Sequence, residues 1–418
     1  MIIAVHLFSF PYYGNSQALQ SAFPQLNAGG QINAIAEDSV NNILYLAGNF
    51  THVNGIARRN LAAVDLATNT VLSSFNPIST MNGSILCLAR YGTRLYVGGE
   101  FTSVNGSGAV PYFCRIDLNA SGNNGTLNTV YQPGGASPVQ DMVLDGSTLY
   151  LAGQGVLIDH LPSGSLRLAI AAIDAINGNL LSYDPASRPA NGLLTFTSCT
   201  IVKLLLAPTR IYACGQQFGG NGNEGIIALD KSNGDAIPSF NPVFNFAKVI
   251  DAERRNGKIY ILNSKIWPLG YSLMEFDENT NVMTPGAFMI TGGTPESIGI
   301  YQDELFIAGS FTNVLSQSRN GFAAVDLNTL SCTPFSPNPI GVLDHPRAIQ
   351  ISRNNLYISD AALTTISSQS RIGLAKYCMK PHPANAISIS DASICPNQQG
   401  IIATVPAARY ATTYTWNY

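Results

Sequence analysis

The chain has 418 residues, of which only 11% are charged, and its formal net charge is −3. This balance excludes the strongly basic surface with which proteins track a nucleic-acid backbone. Apolar residues make up 46% of the chain, but they occur in runs of about four to six residues, and a membrane-spanning helix needs roughly 20. The sequence therefore predicts neither a nucleic-acid partner nor a membrane span.

The chain begins with an apolar run that is followed by small residues near Ala18. This pattern is typical of a secretion signal, although the usual basic start is missing. Residues 1–18 are predicted to be a signal segment. Asn, Ser, Thr, Gln and Gly supply most of the surface polarity, as is common in exported proteins, so we expect an extracellular or cell-surface location.

One motif recurs along the chain. Residues 48–55 read G-N-F-T-H-V-N-G, and similar stretches stand at residues 99–106 and 309–314. Each copy follows a short β-type run and precedes another run that ends in aspartate. Self-similarity at a long period indicates a repeat architecture.

Two series of markers count the repeat units. An aromatic residue in the run before the motif recurs every 46 to 62 residues, and an aspartate ends the run after it. Both series predict seven units of four short strands, which is typical of β-propeller blades. The aromatic markers are Tyr45, Tyr96, Tyr150, Tyr212, Tyr260, Phe306 and Tyr357, and the second series is Asp65, Asp117, Asp174, Asp230, Asp277 and Asp326, with Lys376 in the seventh place.

These aspartates stand directly before the turn that leads to the fourth strand. A carboxylate at such a position can accept hydrogen bonds from the turn backbone. No D-x-D-x-D-G loop accompanies them, so we predict this turn-stabilising role and no calcium site.

The last run of most units ends in an aromatic residue that is followed within two positions by proline, as at Phe75 and Pro77. Unit seven lacks such a run, but the chain's start has one at residues 19–24. We therefore predict that an N-terminal strand completes the seventh blade and removes two unpaired sheet edges. The predicted fold is all-β, a seven-bladed propeller of four-stranded antiparallel blades over residues 19–380.

Beyond the repeats, residues 381–418 read as a linker and three short strands. They are too few for an independent sandwich, so we expect the start of a further β domain of a longer protein. Among the seven cysteines, Cys199 and Cys214 fall on runs expected to be neighbouring strands, so a disulfide between them is one candidate, and Cys378 with Cys395 is another. The chain has no C-x-x-C pair, so no structural zinc site is expected.

The motif and the run that follows it resemble the delta-60 repeat family, a bacterial β-propeller repeat of unassigned activity, over roughly residues 19–380. The tail resembles the start of a PKD-like or immunoglobulin-like module of secreted bacterial surface proteins. These resemblances imply export and surface display, and they imply no catalytic residue.

The motif loops should crowd one face of the propeller, here called the motif face. The phenylalanines of the regular loops (Phe50, Phe101, Phe218 and Phe311) are predicted to pack between blades. The loops that break the repeat are therefore the predicted ligand-binding surface. They carry Asp159 and His160 in unit three and Trp267 and Tyr271 in unit five, although Trp267 also fits a purely space-filling role.

The predicted function is a non-catalytic extracellular binding or display module that recognises carbohydrate or protein in adhesion or assembly. One alternative is a structural subunit of a surface filament or layer. Another is a polysaccharide-acting enzyme, which clustered carboxylates with raised pKa on the motif face would favour. We expect no cofactor and no metal site, since His52 and His345 near the motif face have no identifiable third ligand.

Overall fold

The computed structural model describes residues 17–106, 108, 111–128, 137–158, 167–187, 199–216, 225–237, 239–240, 248–263, 272–341, 349–379, 388–389 and 403–404. The regular secondary structure of these residues is β-strand, apart from one turn of 3-10 helix at Pro185–Ser187. No helix within these ranges is long and apolar enough to cross a membrane.

The N-terminal third of the described chain contains a short leading strand and the first two repeat units. Its second strands are almost wholly buried runs rich in Leu, Ile, Val and Tyr, which favour a central position in a sheet. The strands are β1 (Ala18–Leu19), β2 (Gln31–Asp38), β3 (Ile43–Asn49), β4 (His52–Val53), β5 (Ile56–Ala57), β6 (Leu61–Asp65), β7 (Thr70–Val71), β8 (Ile85–Tyr91), β9 (Arg94–Gly99), β10 (Phe113–Leu118) and β11 (Gly125–Leu127).

Units three to five follow with the same antiparallel order. Their strands are β12 (Val139–Asp145), β13 (Thr148–Ile158), β14 (Arg167–Asp174), β15 (Thr200–Leu206), β16 (Arg210–Gln216), β17 (Ile226–Asp230), β18 (Val249–Arg255), β19 (Lys258–Asn263), β20 (Ser272–Asp277) and β21 (Val282–Thr291).

Units six and seven complete the repeats, and two further strands lie in the tail. The strands are β22 (Pro295–Tyr301), β23 (Glu304–Gly309), β24 (Asn313–Val314), β25 (Gln317–Ser318), β26 (Phe322–Asp326), β27 (Ser331–Cys332), β28 (Ile349–Ser352), β29 (Asn355–Ser359), β30 (Thr365–Ile366), β31 (Gln369–Ser370), β32 (Leu374–Cys378), β33 (Ser388–Ile389) and β34 (Ala403–Thr404).

Four repeat units form four-stranded antiparallel sheets, and the four antiparallel strands of unit five begin a six-stranded sheet that continues through the β24–β25 hairpin. These sheets stand in a ring as in a β-propeller. The four-stranded sheets are β2-β3-β6-β7, β8-β9-β10-β11, β22-β23-β26-β27 and β28-β29-β32-β1, and the six-stranded sheet is β18-β19-β20-β21-β24-β25. The first strand of each unit lies beside the first strands of its neighbours, and the last of these, β28, lies beside β2. The all-β class and the propeller arrangement are therefore confirmed.

Units three and four depart from the predicted four strands per blade. Each has three paired strands, and its fourth segment adds an isolated bridge, Ile173 with Leu180 in unit three and Leu229 with Ala236 in unit four. The N–H groups of Leu181 and Ile237, next to these bridges, also donate to the third strand of their unit. In unit three this segment turns almost at once into the 3-10 helix at Pro185–Ser187, and proline cannot donate to a sheet ladder.

The N-terminal segment takes the outer place in the sheet of unit seven. Ala18 and Leu19 pair antiparallel with Cys378 and Tyr377, as the sequence predicted. The guanidinium of Arg371, whose side chain is buried, donates from Nη1 to the Ser21 carbonyl at 2.9 Å and from Nη2 to the Phe23 carbonyl at 2.7 Å.

Arginines at the same repeat position show that the N-terminal segment replaces a fourth strand. In unit one Arg58 Nη2 donates to the Leu72 and Ser73 carbonyls, both at 3.0 Å, and in unit six Arg319 Nη2 donates to the Thr333 carbonyl at 3.0 Å. These acceptors lie on the fourth segment of the same unit, whereas those of Arg371 lie at the N-terminus.

The motif loops fold into hairpins that explain their composition. In unit one β4 pairs with β5 across Asn54 and Gly55, which have φ of 51° and 77°. Two consecutive positive φ values define the type I′ turn, for which Asn-Gly is the preferred pair. Leu315 and Ser316 occupy the same turn in unit six at φ of 49° and 62°, so this copy keeps a left-handed backbone without glycine.

Polar side chains form hydrogen bonds within repeat units and between successive units. The Oδ1 atoms of Asp65 and Asp326 each accept two backbone N–H groups of the following turn, so the predicted turn-stabilising role is confirmed there. The hydroxyl of Tyr45 donates to the Gly122 carbonyl at 2.6 Å, and that of Tyr96 to the Ala175 carbonyl at 3.0 Å. Tyr45 and Tyr96 thus each join their unit to the following one.

The candidate disulfide between Cys199 and Cys214 does not form. The expected strands do pair, but the register places Cys214 opposite Lys203, while Thr200, directly after Cys199, stands opposite Gln216. Both side chains are buried and are not joined to each other, because neighbouring strands bring two cysteines together only when the register also matches. Cys395 lies outside the described residues, and Cys378 is a free, exposed thiol.

Candidate functional site

A central cavity of about 990 Å³ runs between the first strands of the seven repeat units. Asn49 and Glu100, each directly before a motif phenylalanine, also line it, so the cavity adjoins the motif face. Cavities of roughly 300–1,000 Å³ are typical of small-molecule sites. This cavity is therefore the candidate functional site.

A β-bulge at one register position shapes the cavity wall. In six units the first strand has one extra residue relative to the second strand, and each of these extra residues lines the cavity. A bulge leaves a residue outside the regular pairing and re-aims its side chain. The six residues are Asn33, Leu86, Gln140, Val202, Ile250 and Glu296.

Side chains beside these bulges link every unit to the next around the cavity. The links are Asn33 Nδ2 to the Ile85 carbonyl (2.8 Å), Cys87 Sγ to the Val139 carbonyl (3.6 Å), Leu204 N to Asp141 Oδ2 (2.8 Å), Lys203 Nζ with Asp251 Oδ1 (3.4 Å), Ile298 N to Asp251 Oδ2 (3.0 Å), Ile349 N to Ser297 Oγ (3.4 Å) and Gln350 Nε2 to the Asn33 carbonyl (3.0 Å). The last link returns to the first unit.

Units four and five place an ionic cluster on the cavity wall. Lys203 Nζ lies 3.4 Å from Asp251 Oδ1 and 3.2 Å from Glu253 Oε1. Burial raises the pKa of Glu253, and the carboxylates of Asp251 and Asp141 add to this effect, while the Lys203 ammonium opposes it. The Glu253 side chain remains 30% exposed to the cavity, so a ligand can reach it.

Asp251 already has hydrogen-bond partners on both carboxylate oxygens. Oδ1 accepts the backbone N–H of Ala252 at 2.9 Å, and Oδ2 accepts the Ser297 hydroxyl at 3.2 Å. Within the described ranges no group of three or more His, Cys, Asp or Glu side chains is arranged to hold a metal ion. The cluster can therefore offer a carboxylate and an ammonium to a polar ligand.

All four predicted ligand-binding residues lie outside the described residues. They are Asp159, His160, Trp267 and Tyr271, so their role stays a prediction. The same holds for Phe218 and His345. The buried positions of Phe50, Phe101 and Phe311 confirm the packing role that the sequence predicted for the regular motif loops.

The sequence reasoning missed the residues that line the central cavity. The sequence holds no signal for these positions: the extra residue at Asn33, between Ile32 and Ala34, is defined only by the pairing of β2 with β3.

No protein-family profile matches the chain, and no curated protein matches it either. The crystal structure of the computationally designed Ika8 protein is similar to 85% of this chain and 98% of its own, at 11% sequence identity and a TM-score of 0.47. At this sequence identity and TM-score the similarity carries no argument, and the propeller arrangement follows from the strand pairing alone.

Proposed function

We propose that the chain is a seven-bladed β-propeller that acts as a non-catalytic binding module of an exported, surface-displayed protein. The seven polar links around the cavity support the blade count, with units three and four as blades whose fourth strand is reduced. The pairing of Ala18 and Leu19 in unit seven supports ring closure by the N-terminal strand. The low charge and the resemblance to delta-60 repeats support export and display.

The central cavity is the observation that carries the binding function. Its wall combines the polar side chains of Asn33, Gln140 and Glu296 with the aliphatic side chains of Leu86, Val202 and Ile250. A ligand that presents both hydroxyl or amide groups and apolar faces matches this wall. Carbohydrates and peptides are such ligands, and both remain candidates for the cavity.

A glycan and peptide binding screen tests this function when it is repeated with a blocked cavity. Val202→Trp places a large side chain at a cavity position, whereas Val40→Trp makes the same change at a turn residue that is 84% exposed. We expect ligands of the wild type to lose affinity for Val202→Trp and to keep it for Val40→Trp. Equal binding to both variants, or no ligand at all, would contradict the proposal.

One observation favours a second candidate, a polysaccharide-acting enzyme. Glu253 combines a raised pKa with two neighbouring carboxylates in an accessible cavity, as a general acid requires. However, Lys203 lies between Glu253 and Asp251, and Asp251 is committed to backbone and hydroxyl donors. This commitment fits an ion-paired binding wall better than an acid and nucleophile pair.

Glu253→Gln separates the two functions. The enzyme predicts release of reducing ends from a polysaccharide by the wild type and loss of that activity in the variant. The binding module predicts no bond cleavage by either protein and retained, if weaker, ligand binding by Glu253→Gln. Turnover by the wild type would overturn the non-catalytic proposal.

A further inference from the structure

A second, smaller cavity lies outside the central one, on the motif face of unit one. Its volume is about 200 Å³, and it lies between the motif hairpin β4–β5 and the segment that leaves unit one after Phe75. At roughly 30 Å³ per water molecule, this is room for several waters or for one small polyatomic ion. Arg58, Arg59, Thr51, Asn76 and Ser79 supply its polar lining.

Arg58 brings a buried positive charge to this cavity. Its side chain is 94% buried, since its residual exposure is 6%. Its guanidinium donates to the carbonyls of Ala57, Leu72 and Ser73, and its Nε–H is buried without an acceptor among the described residues. These partners are neutral, and burial lowers the pKa of Arg58, so an anion nearby would stabilise its charge.

Arg59 adds a second positive charge that the other repeats lack. Its side chain is exposed, and its Nε–H donates to the Met81 carbonyl at 3.1 Å. In units six and seven the arginine equivalent to Arg58 is followed by Asn320 and Ile372. The first arginine therefore recurs where it holds a fourth segment or the N-terminal segment, while the second does not recur in these units.

The polar groups around the two arginines are neutral. Asn76 is an exposed amide, the Ser79 hydroxyl donates to Asn105 Oδ1 at 3.0 Å, the Thr51 hydroxyl lies 2.9 Å from His52 Nδ1, and no carboxylate lines the cavity within the described residues. Guanidinium groups bind oxyanions through short, charge-assisted hydrogen bonds, often in pairs.

We propose that this cavity binds a tetrahedral oxyanion, the sulfate or phosphate group of a free ion or of a substituted sugar. Arg58 contributes positive charge from within the cavity wall, the exposed Arg59 supplies charge-assisted donors, and Asn76 supplies a neutral donor at the rim. The site is separate from the central cavity, so its test is independent of the function proposed for that cavity.

Titration calorimetry with sodium sulfate, at constant ionic strength, tests the proposal on the whole chain. The test variant is Arg59→Asn, which installs the residue that unit six has at this position. The control is Arg94→Asn, which removes the same charge from the start of β9, outside the cavity lining. We expect saturable binding by the wild type and the control, and at least tenfold weaker binding by Arg59→Asn, which is about 1.4 kcal/mol.

Two parallel titrations identify the source of the oxyanion. Inorganic phosphate and a sulfated monosaccharide are compared with inorganic sulfate, and tighter binding of the sugar ester by the wild type alone would assign the group to a glycan. Asn76→Ala should weaken all three ligands less than Arg59→Asn does. No saturable binding by the wild type up to about 10 mM, or equal losses in Arg59→Asn and Arg94→Asn, would overturn the proposal.

Discussion

Removal of residues 1–24 should open the ring at unit seven. This deletion takes away β1 and the segment that Arg371 and Tyr357 hold in place. The matched control is deletion of residues 1–16, which leaves every described contact of the segment intact. Comparison of the two truncated proteins isolates the contribution of the closing segment.

The contacts of Phe23 and Arg371 set the size of the effect. Phe23 is 1% exposed, lies 5.7 Å from the Tyr357 ring between centroids, and has Lys376 Nζ 4.8 Å from its ring. Loss of such a side chain costs about 3–5 kcal/mol. Arg371 would also lose its acceptors at Ser21, Phe23 and Pro24 while staying largely enclosed, at about 1.5–3 kcal/mol for each charged hydrogen bond.

The losses of the Phe23 contacts and of the Arg371 hydrogen bonds are not additive, because the two residues are neighbours. We therefore take about 3 kcal/mol, the smaller cost of losing Phe23 alone, as the lower bound of the destabilisation. An unfolding entropy of about 2.1 cal/mol/K per residue, over the roughly 360 residues of the repeats, converts this bound into a Tm that is lower by about 4 °C or more. The exposed edge of β32 should also promote self-association.

Differential scanning calorimetry and size-exclusion chromatography with light scattering measure both effects. The shorter truncation should melt like the full chain and remain monomeric, and the longer one should melt earlier and associate. If the longer truncation stays monomeric with the Tm of the shorter one, the N-terminal segment does not close the ring.

Three further predictions concern single side chains, each measured by chemical denaturation. Ser316→Gly should stabilise the protein by about 0.5–1 kcal/mol because it relieves a positive φ, and the reverse change Gly55→Ser should destabilise it by a similar amount. Tyr96→Phe should cost about 0.5–1.5 kcal/mol because it removes a hydrogen bond to the next unit. Tyr357→Phe should be close to neutral, since that buried hydroxyl has no partner among the described residues. Burial lowers the pKa of Lys376 from its usual 10.5, so the charged side chain destabilises the folded protein below pH 10.5. Lys376→Met removes this cost, and its gain in the free energy of unfolding should shrink as the pH rises to 10.5. A gain that does not change with pH would contradict this reasoning.

Local chemistry let the sequence predict the repeat fold and much of its detail. The spacing of Tyr45, Tyr96 and their equivalents indicated the repeat units, because each unit must place a buried aromatic at the same point of its second strand. Asp65 and Asn54-Gly55 revealed their turns, because these residues act on a backbone only a few positions away. The aromatic and proline at residues 23–24 matched the fourth strands of other units, and this match predicted the partner of β32.

The tertiary structure alone decided what depends on register and on contacts between units. The sequence predicted that the runs carrying Cys199 and Cys214 pair as neighbouring strands. It did not predict the register of that pairing, because an apolar run fits a buried sheet equally well in two registers that differ by one residue. The residues of the central cavity, such as Gln140 and Glu296, acquire their positions from bulges that only the pairing with the second strand defines. The ion pairs of Lys203 join residues about 50 positions apart, and their geometry follows from how consecutive sheets pack around the ring.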